Sequence, residues 1–180
     1  FNISQDELVI GTFTSLYRKK GVYDFANAAK EILKEKDATI VFAGNISEST
    51  KNEIASIFSK KDKIIFTGFR NDAANVIKSF DIYVFASHSE GLGTVLLEAM
   101  SSKVPVVVYD NAPMNVLVKD KERGLCARNL DEISLKECIL ELINEPEKAK
   151  IYSQNAFKFV DENFSHKALK EAIKNLLEQK

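Results

Sequence analysis

The sequence predicts an α/β fold: a doubly wound, Rossmann-like parallel sheet of about six strands with a helical C-terminal tail. Three observations predict it. Short apolar runs alternate with amphipathic stretches of helical period, the pattern of a sheet covered by helices on both faces. Several runs are continuously apolar, as in Ile82-Tyr83-Val84-Phe85-Ala86 and Val104-Pro105-Val106-Val107-Val108, and a strand buried on both faces needs that. After the last run the rhythm changes to helices alone. Residues 1–180 therefore read as one domain, with a core to about residue 145 and C-terminal helices over 146–180.

The strand candidates, in order, are Leu8–Thr14, Thr39–Gly44, Lys63–Thr67, Ile82–Ala86, Val104–Tyr109 and Gly124–Ala127. Between the first two, Val22, Phe25, Ala26, Ala29, Ile32 and Leu33 recur with the 3.6-residue period and make one helical stripe. Thr50 with Glu53 has the form of a capping box for the next helix, and Ser134 with Glu137 has it for a later one. Asn71-Asp72 can cap a short helix running to about Phe80, which makes Asp81 a helix terminator rather than a chemical group. Leu135–Ile143 forms another stripe. Pro146 suits the first turn of a helix reaching about Asp161. A last stripe (Ala168, Leu169, Ala172, Ile173, Leu176, Leu177) closes the chain, its apolar side expected to be exposed or to mediate dimerisation.

Composition removes several function classes. The 25 basic and 26 acidic residues give a net charge of -1, against the basic excess that nucleic acid would require. No run approaches the roughly 18–20 apolar residues of a membrane span, and the N-terminus is not a signal peptide. The expected location is cytoplasmic, with peripheral contact at the inner membrane face, through a full-length protein, left open. Cys126 and Cys138 read as small buried hydrophobes in a reducing compartment. His88 and His166 are too far apart, and the acids too unpaired, to form a metal site, so no metal or other cofactor is expected. No Walker A pattern and no G-x-G-x-x-G after a strand occurs, which weighs against an NTPase or a dinucleotide dehydrogenase. A flavodoxin-like receiver domain would carry clustered acids after its first strand, where Thr14 and Ser15 stand instead.

Doubly wound sheets bind ligands beyond the carboxyl ends of their strands, so the residues just after each strand carry the chemistry. The strongest segment runs from Ser87 to Met100. Gly91 and Gly93 let a backbone approach a ligand closely, and the start of the following helix offers unpaired N–H donors to phosphate. Glu90 falls in the loop. Glu98 lies about one and a half turns into the helix if that helix starts near Gly93. Two carboxylates so placed can hold different parts of an extended ligand.

Glu90 and Glu98 are separated by seven residues, and this stretch resembles the E-x7-E motif of retaining glycosyltransferases of family 4, the glycosyl transferases group 1. Ser79 to Ser87 resembles the family's run before the motif, and Leu97-Glu98-Ala99-Met100 with Val104-Pro105-Val106-Val107 resembles its run after it. Phe42-Ala43-Gly44, Phe66-Thr67-Gly68-Phe69 and Asn163-Phe164-Ser165 match further signatures in the same order. The resemblance covers nearly the whole chain as the C-terminal, donor-binding half of a GT-B fold.

The resemblance implies roles. Glu90 contacts the donor sugar; the amides of Gly91, Leu92 and Gly93 approach sugar and phosphates; those of Thr94 and Val95 face the diphosphate. Glu98 hydrogen-bonds the ribose hydroxyls, a task a carboxylate suits because it can accept from both. Lys20 matches a lysine that neutralises the departing diphosphate, while the arginine that normally stands five residues before it falls on Ser15. Arg18 and Lys19 are the candidates to replace that arginine, against the alternative of solvated loop charges. Gly44, Asn45, Gly68, Phe69 and Arg70 would line the nucleotide pocket. Around Asn111-Ala112-Pro113-Met114-Asn115 the usual Glu after Pro is missing. His88, at a variable position, is expected to be a hydrogen-bonder beside the site.

The implied substrate is a UDP-, GDP- or ADP-sugar, in glycan, lipopolysaccharide or glycolipid synthesis. The residues given are expected to lack the N-terminal acceptor domain of such enzymes, and the chain alone to bind donor with little or no transfer. The alternatives are a non-catalytic nucleotide- or sugar-binding module that kept the fold, and another GT-B-like enzyme such as a nucleotide-sugar epimerase.

Overall fold

Six parallel strands form one sheet: β1 (Val9–Phe13), β2 (Thr39–Ala43), β3 (Lys63–Gly68), β4 (Ile82–Phe85), β5 (Val106–Tyr109) and β6 (Leu125–Ala127), in the order β3-β2-β1-β4-β5-β6. This computed structural model describes residues 3–4 and 6–178, with the backbone alone for Leu169, Ala172, Ile173, Leu176 and Leu177. The expected exposure or dimer role of the final apolar stripe therefore lies outside the described residues. Among the described residues eight α-helices accompany the strands, besides a single 3-10 turn over Arg18–Lys20: α1 (Val22–Ile32), α2 (Glu48–Ile57), α3 (Ala73–Ile77), α4 (Thr94–Ser101), α5 (Met114–Val118), α6 (Glu132–Asn144), α7 (Pro146–Phe164) and α8 (His166–Glu178). The strand order reverses between β1 and β4, so the chain leaves these neighbours in opposite directions and opens a crevice between them.

Successive strand residues point to opposite faces, and both faces are covered. On one side Ile10, Ile40, Phe42 and Val84 pack with Phe25 and Ile32 of α1, Ile54 of α2 and Ile139 of α6. On the other, Val41, Tyr83, Phe85 and Val108 pack with Ile77 of α3, Leu96 and Met100 of α4, Met114 of α5 and Val160 of α7. Every residue of β1, β2, β4 and β5 is buried, whereas the edge strand β3 is only half-buried.

Local details correct several expectations. The cap of α2 is Ser47, whose Oγ accepts from the Thr50 amide at 3.1 Å; Glu53 instead accepts from the Tyr23 hydroxyl at 2.5 Å. Asp131 caps α6 by accepting from the Ser134 amide at 2.9 Å, and the Ser134 hydroxyl accepts from the Arg128 amide at 3.0 Å. Asp81 belongs to the sheet: its carboxylate accepts from the Val9 amide at 2.7 Å and its own amide donates to the Val9 carbonyl at 2.8 Å. Helix α3 ends at Ile77, α7 continues to Phe164, and α5 is an element that no sequence signal announced. Pro146 stands at the start of α7, where its missing N–H costs nothing. Cys126 and Cys138 are free and half-buried, and burial pushes their thiols up to about 12 and about 11. Among the described residues, no helix is long and apolar enough to cross a membrane.

Candidate functional site

A cleft of about 580 Å³ lies at the carboxyl edge of the sheet, across the point where the strand order reverses. Phe13 and Phe85, the last residues of β1 and β4, line it together with residues from four loops. These are Thr14, Ser15 and Lys20 after β1, Gly44 and Asn45 after β2, Phe69 and Arg70 after β3, and Glu90, Leu92, Gly93, Thr94 and Val95 after β4.

Two glycines let these loops come together. Gly21 has φ +64°, and a Cβ there would meet the Ala86 carbonyl oxygen at 1.8 Å, so only glycine lets the Lys20 turn lie against the end of β4. Gly44 has φ +128°, and a Cβ there would meet the Thr14 carbonyl oxygen at 1.9 Å.

The charged centre of the cleft is an ion pair, Lys20 Nζ to Glu90 Oε1 at 2.6 Å, with the side chains 19% and 12% exposed. Beside it is the amino end of α4. Gly93 occupies the cap position, no side chain caps the end among the described residues, and Leu96 is bonded back to the Gly93 carbonyl at 2.8 Å. The amides of Thr94 and Val95 are thus among the free donors of the first turn, where the helix dipole favours an anion. One cleft therefore offers an ammonium, a carboxylate and a positive helix end.

Other expected residues sit elsewhere. Arg18 stacks its guanidinium 4.4 Å from the Tyr23 ring centre, and neither it nor Lys19 lines the cleft, where Ser15 stands at the position of the missing arginine. Arg70 lines the cleft but is held by Asp72 through bonds of 2.8 and 2.6 Å. Gly68 and Gly91 lie next to lining residues rather than among them. Glu98, on α4 one turn beyond Val95, borders a separate hollow with Leu97, Phe157 and Phe164. Met114, where the resembling enzymes carry a Glu, is fully buried, and its thioether lies beneath Gly93.

Two residues escaped the sequence reading. Tyr83 is fully buried and donates to the Phe13 carbonyl at 3.0 Å; burial first, then the nearby Glu90 and Glu98 carboxylates, holds its phenol well above its ordinary value. Its one signal is a polar tip in an otherwise apolar strand. Asp24, on the first turn of α1, pairs with His88 at 2.8 Å, which gives that histidine the hydrogen-bonding role expected of it.

A doubly wound domain with an anion-favouring cleft at its switch point has the form that nucleotide-binding domains take. The comparisons narrow that class. Residues 1–159 match the family model for glycosyl transferases group 1, and the chain belongs to that family. It is 24% identical over 174 residues, 95% of its own length and 46% of the relative's, to the capsular polysaccharide biosynthesis glycosyltransferase CapM of Staphylococcus aureus. It spans about half the length of that curated relative. Among solved structures it resembles the C-terminal domain of the group 1 glycosyl transferase LpcC from Francisella tularensis, at 26% identity and TM-score 0.77, covering 88% of this chain and 87% of that one. It also shares the fold of Anabaena HepE, solved in complex with UDP and glucose, at 21% identity and TM-score 0.86, over 97% of this chain and 49% of that one.

Proposed function

We propose that this chain is the donor-binding half of a retaining glycosyltransferase, taking a nucleotide-diphosphate sugar into the cleft at the carboxyl edge. The observation that carries the reading is the Lys20–Glu90 pair sharing one cleft with the uncapped amino end of α4. The diphosphate lies on the amides of Thr94 and Val95 and on Lys20, the sugar reaches Glu90, and the nucleoside extends past Asn45, Phe69 and Arg70. Glu98 borders the neighbouring hollow rather than the cleft itself, and the resemblance assigns it the ribose hydroxyls. Its charge acts on the same buried Tyr83 as that of Glu90, which supports a place at the edge of this site. As the glycosidic bond breaks, charge develops on the leaving diphosphate, and preorganised positive donors stabilise it there. The acceptor attacks from the face the diphosphate leaves, so the anomeric configuration is kept. This reading calls for no metal, because lysine and helix amides supply the positive charge. It assigns the acceptor to a second domain, in polysaccharide or lipid-linked glycan synthesis at the cytoplasmic side of a membrane. UDP is the nucleotide to try first, since the similarly folded HepE was solved with it.

Calorimetric titration with UDP, GDP, ADP and their sugars tests this. One nucleotide is expected to bind saturably, and Glu98→Ala to weaken it roughly 10- to 100-fold, because hydrogen bonds to a charged group contribute about 1.5–3 kcal/mol. A folded chain that binds none of them contradicts the reading. The second reading, a binding module without transfer, is favoured by Ser15 standing in the cleft while Arg18 turns away to Tyr23. Donor binding without turnover, even with an acceptor domain supplied, would select it.

A further inference from the structure

Lys20 and Glu90 sit on loops that follow different strands, and the β1–β4 ladder does not set the distance between them. That ladder pairs only Ile10 with Ile82 and Gly11 with Tyr83. The loops are joined instead by bonds just upstream of the ion pair. The His88 amide donates to the Lys19 carbonyl at 2.9 Å. Ser87, fully buried, donates its hydroxyl toward the Lys19 carbonyl at 3.4 Å and the Ser89 carbonyl at 3.2 Å. From the loop after β5, Asn111 donates to the Ser87 carbonyl at 3.0 Å.

The His88 ring completes the set. Its Nε2 lies 2.8 Å from Asp24 Oδ2, and the Tyr109 hydroxyl at the end of β5 donates to the same oxygen at 2.9 Å. Burial first, then Asp24, keeps the Tyr109 phenol far above its ordinary value, so it remains a donor. The carboxylate oxygen accepts from both neighbours, which assigns the hydrogen to Nε2 of His88. His88 and Asp24 are 28% and 17% exposed, so this pair is better shielded than an open surface pair. His88 does not itself line the cleft, and its Nε2 is taken up by Asp24. It therefore acts through the loop rather than on a ligand.

From this geometry we infer that His88 is a positioning residue: through Asp24 it locks the Glu90 loop onto the Lys20 turn and so sets where the two charged groups of the cleft stand. The inference rests on the donor-binding reading of that cleft. The loop from His88 to Leu92 is neither strand nor helix, so the His88 amide, the Ser87 hydroxyl and the His88–Asp24 pair together hold it to the Lys20 turn. The ring pair is the part of that hold made by the His88 side chain.

Two readouts on the whole chain test it, with His88→Phe removing the ring donor and His88→Gln restoring an N–H donor near the same place. Hydrogen exchange is expected to rise in His88→Phe over residues 18–21 and 87–93 together, with the strands unchanged. UDP is expected to bind about tenfold more weakly while UMP, which lacks the distal phosphate, binds as before. His88→Gln should recover most of both effects, which a loss of packing alone would not allow. Unchanged local exchange with unchanged UDP affinity in His88→Phe overturns the inference. So does an exchange increase spread evenly over the whole chain. If the unsubstituted chain binds neither nucleotide while the local exchange result holds, the donor-binding reading falls and the loop lock stands.

Discussion

Lys20 and Glu90 meet at 2.6 Å in a partly shielded cleft, so a phosphate that enters competes with a carboxylate for one ammonium. Lys20→Met is expected to weaken UDP about tenfold or more by calorimetry, with a smaller effect on UMP. Glu90→Gln frees the ammonium, so it is expected to strengthen UDP binding severalfold while removing the preference for UDP-sugar over UDP. A loss of UDP affinity in that variant would contradict the competition. Beneath the pair, Tyr83→Phe leaves the buried Phe13 carbonyl unpaired and is expected to cost about 1–3 kcal/mol, read as a lower urea midpoint. The places of Glu90 and Lys20 at the carboxyl edge were legible in the sequence because each stands in a loop that follows a strand. Arg18 was not, since in the run Arg18-Lys19-Lys20 nothing local says which charge faces the cleft, and the Tyr23 ring that draws Arg18 away is a contact made by folding. Tyr83 was hidden for a similar reason, its partner being a carbonyl on the neighbouring strand.

The elements themselves were legible from their apolar runs, with each strand placed to within about two residues. What failed were features set by single turns. The segment around Ser47 and Thr50 offers two oxygen-bearing residues three apart, and the one that caps is decided by where the chain leaves β2. Ser47→Ala is expected to cost about 1 kcal/mol in urea unfolding and Thr50→Ala less. Helix α5 has only five residues, fewer than the window a helical period needs to show itself. Asp131 gives the cap of α6 a pH signature. The Ser134 amide first, then Arg128, holds its carboxyl below the ordinary value of 3.8, so the folded state binds that proton less readily than the unfolded chain. Its stabilisation is complete above the ordinary value and is lost as pH falls through the lower folded value. Asp131→Asn, which still caps, is expected to show a shallower loss of stability on acidification below about pH 4. An unchanged slope would mean the carboxylate does not titrate with folding.

At the scale of the whole molecule, local pattern does not reveal strand order. Parallel runs in the sequence say that β1 and β4 exist, yet only the assembled sheet shows them as neighbours with their connections leaving in opposite directions. That reversal gathers a loop after β1 and a loop after β4, dozens of residues apart in the chain, at one crevice. It also explains why a motif in one loop and a Lys-Gly pair in another form a single site. Glycine substitution tests the assembly: Gly21→Ala forces a Cβ within 1.8 Å of the Ala86 carbonyl, so the chain is expected to lose both stability and nucleotide binding. The most direct measurement is a titration of the nitrogen-15-labelled chain with UDP and UDP-glucose, following the backbone amides by NMR. The largest shifts are expected at Gly93, Thr94 and Val95 and in the Lys20 turn, with Asn45 and Phe69 responding to the nucleoside. Saturable shifts confined to another face, or none at millimolar nucleotide, would contradict a donor site at this cleft.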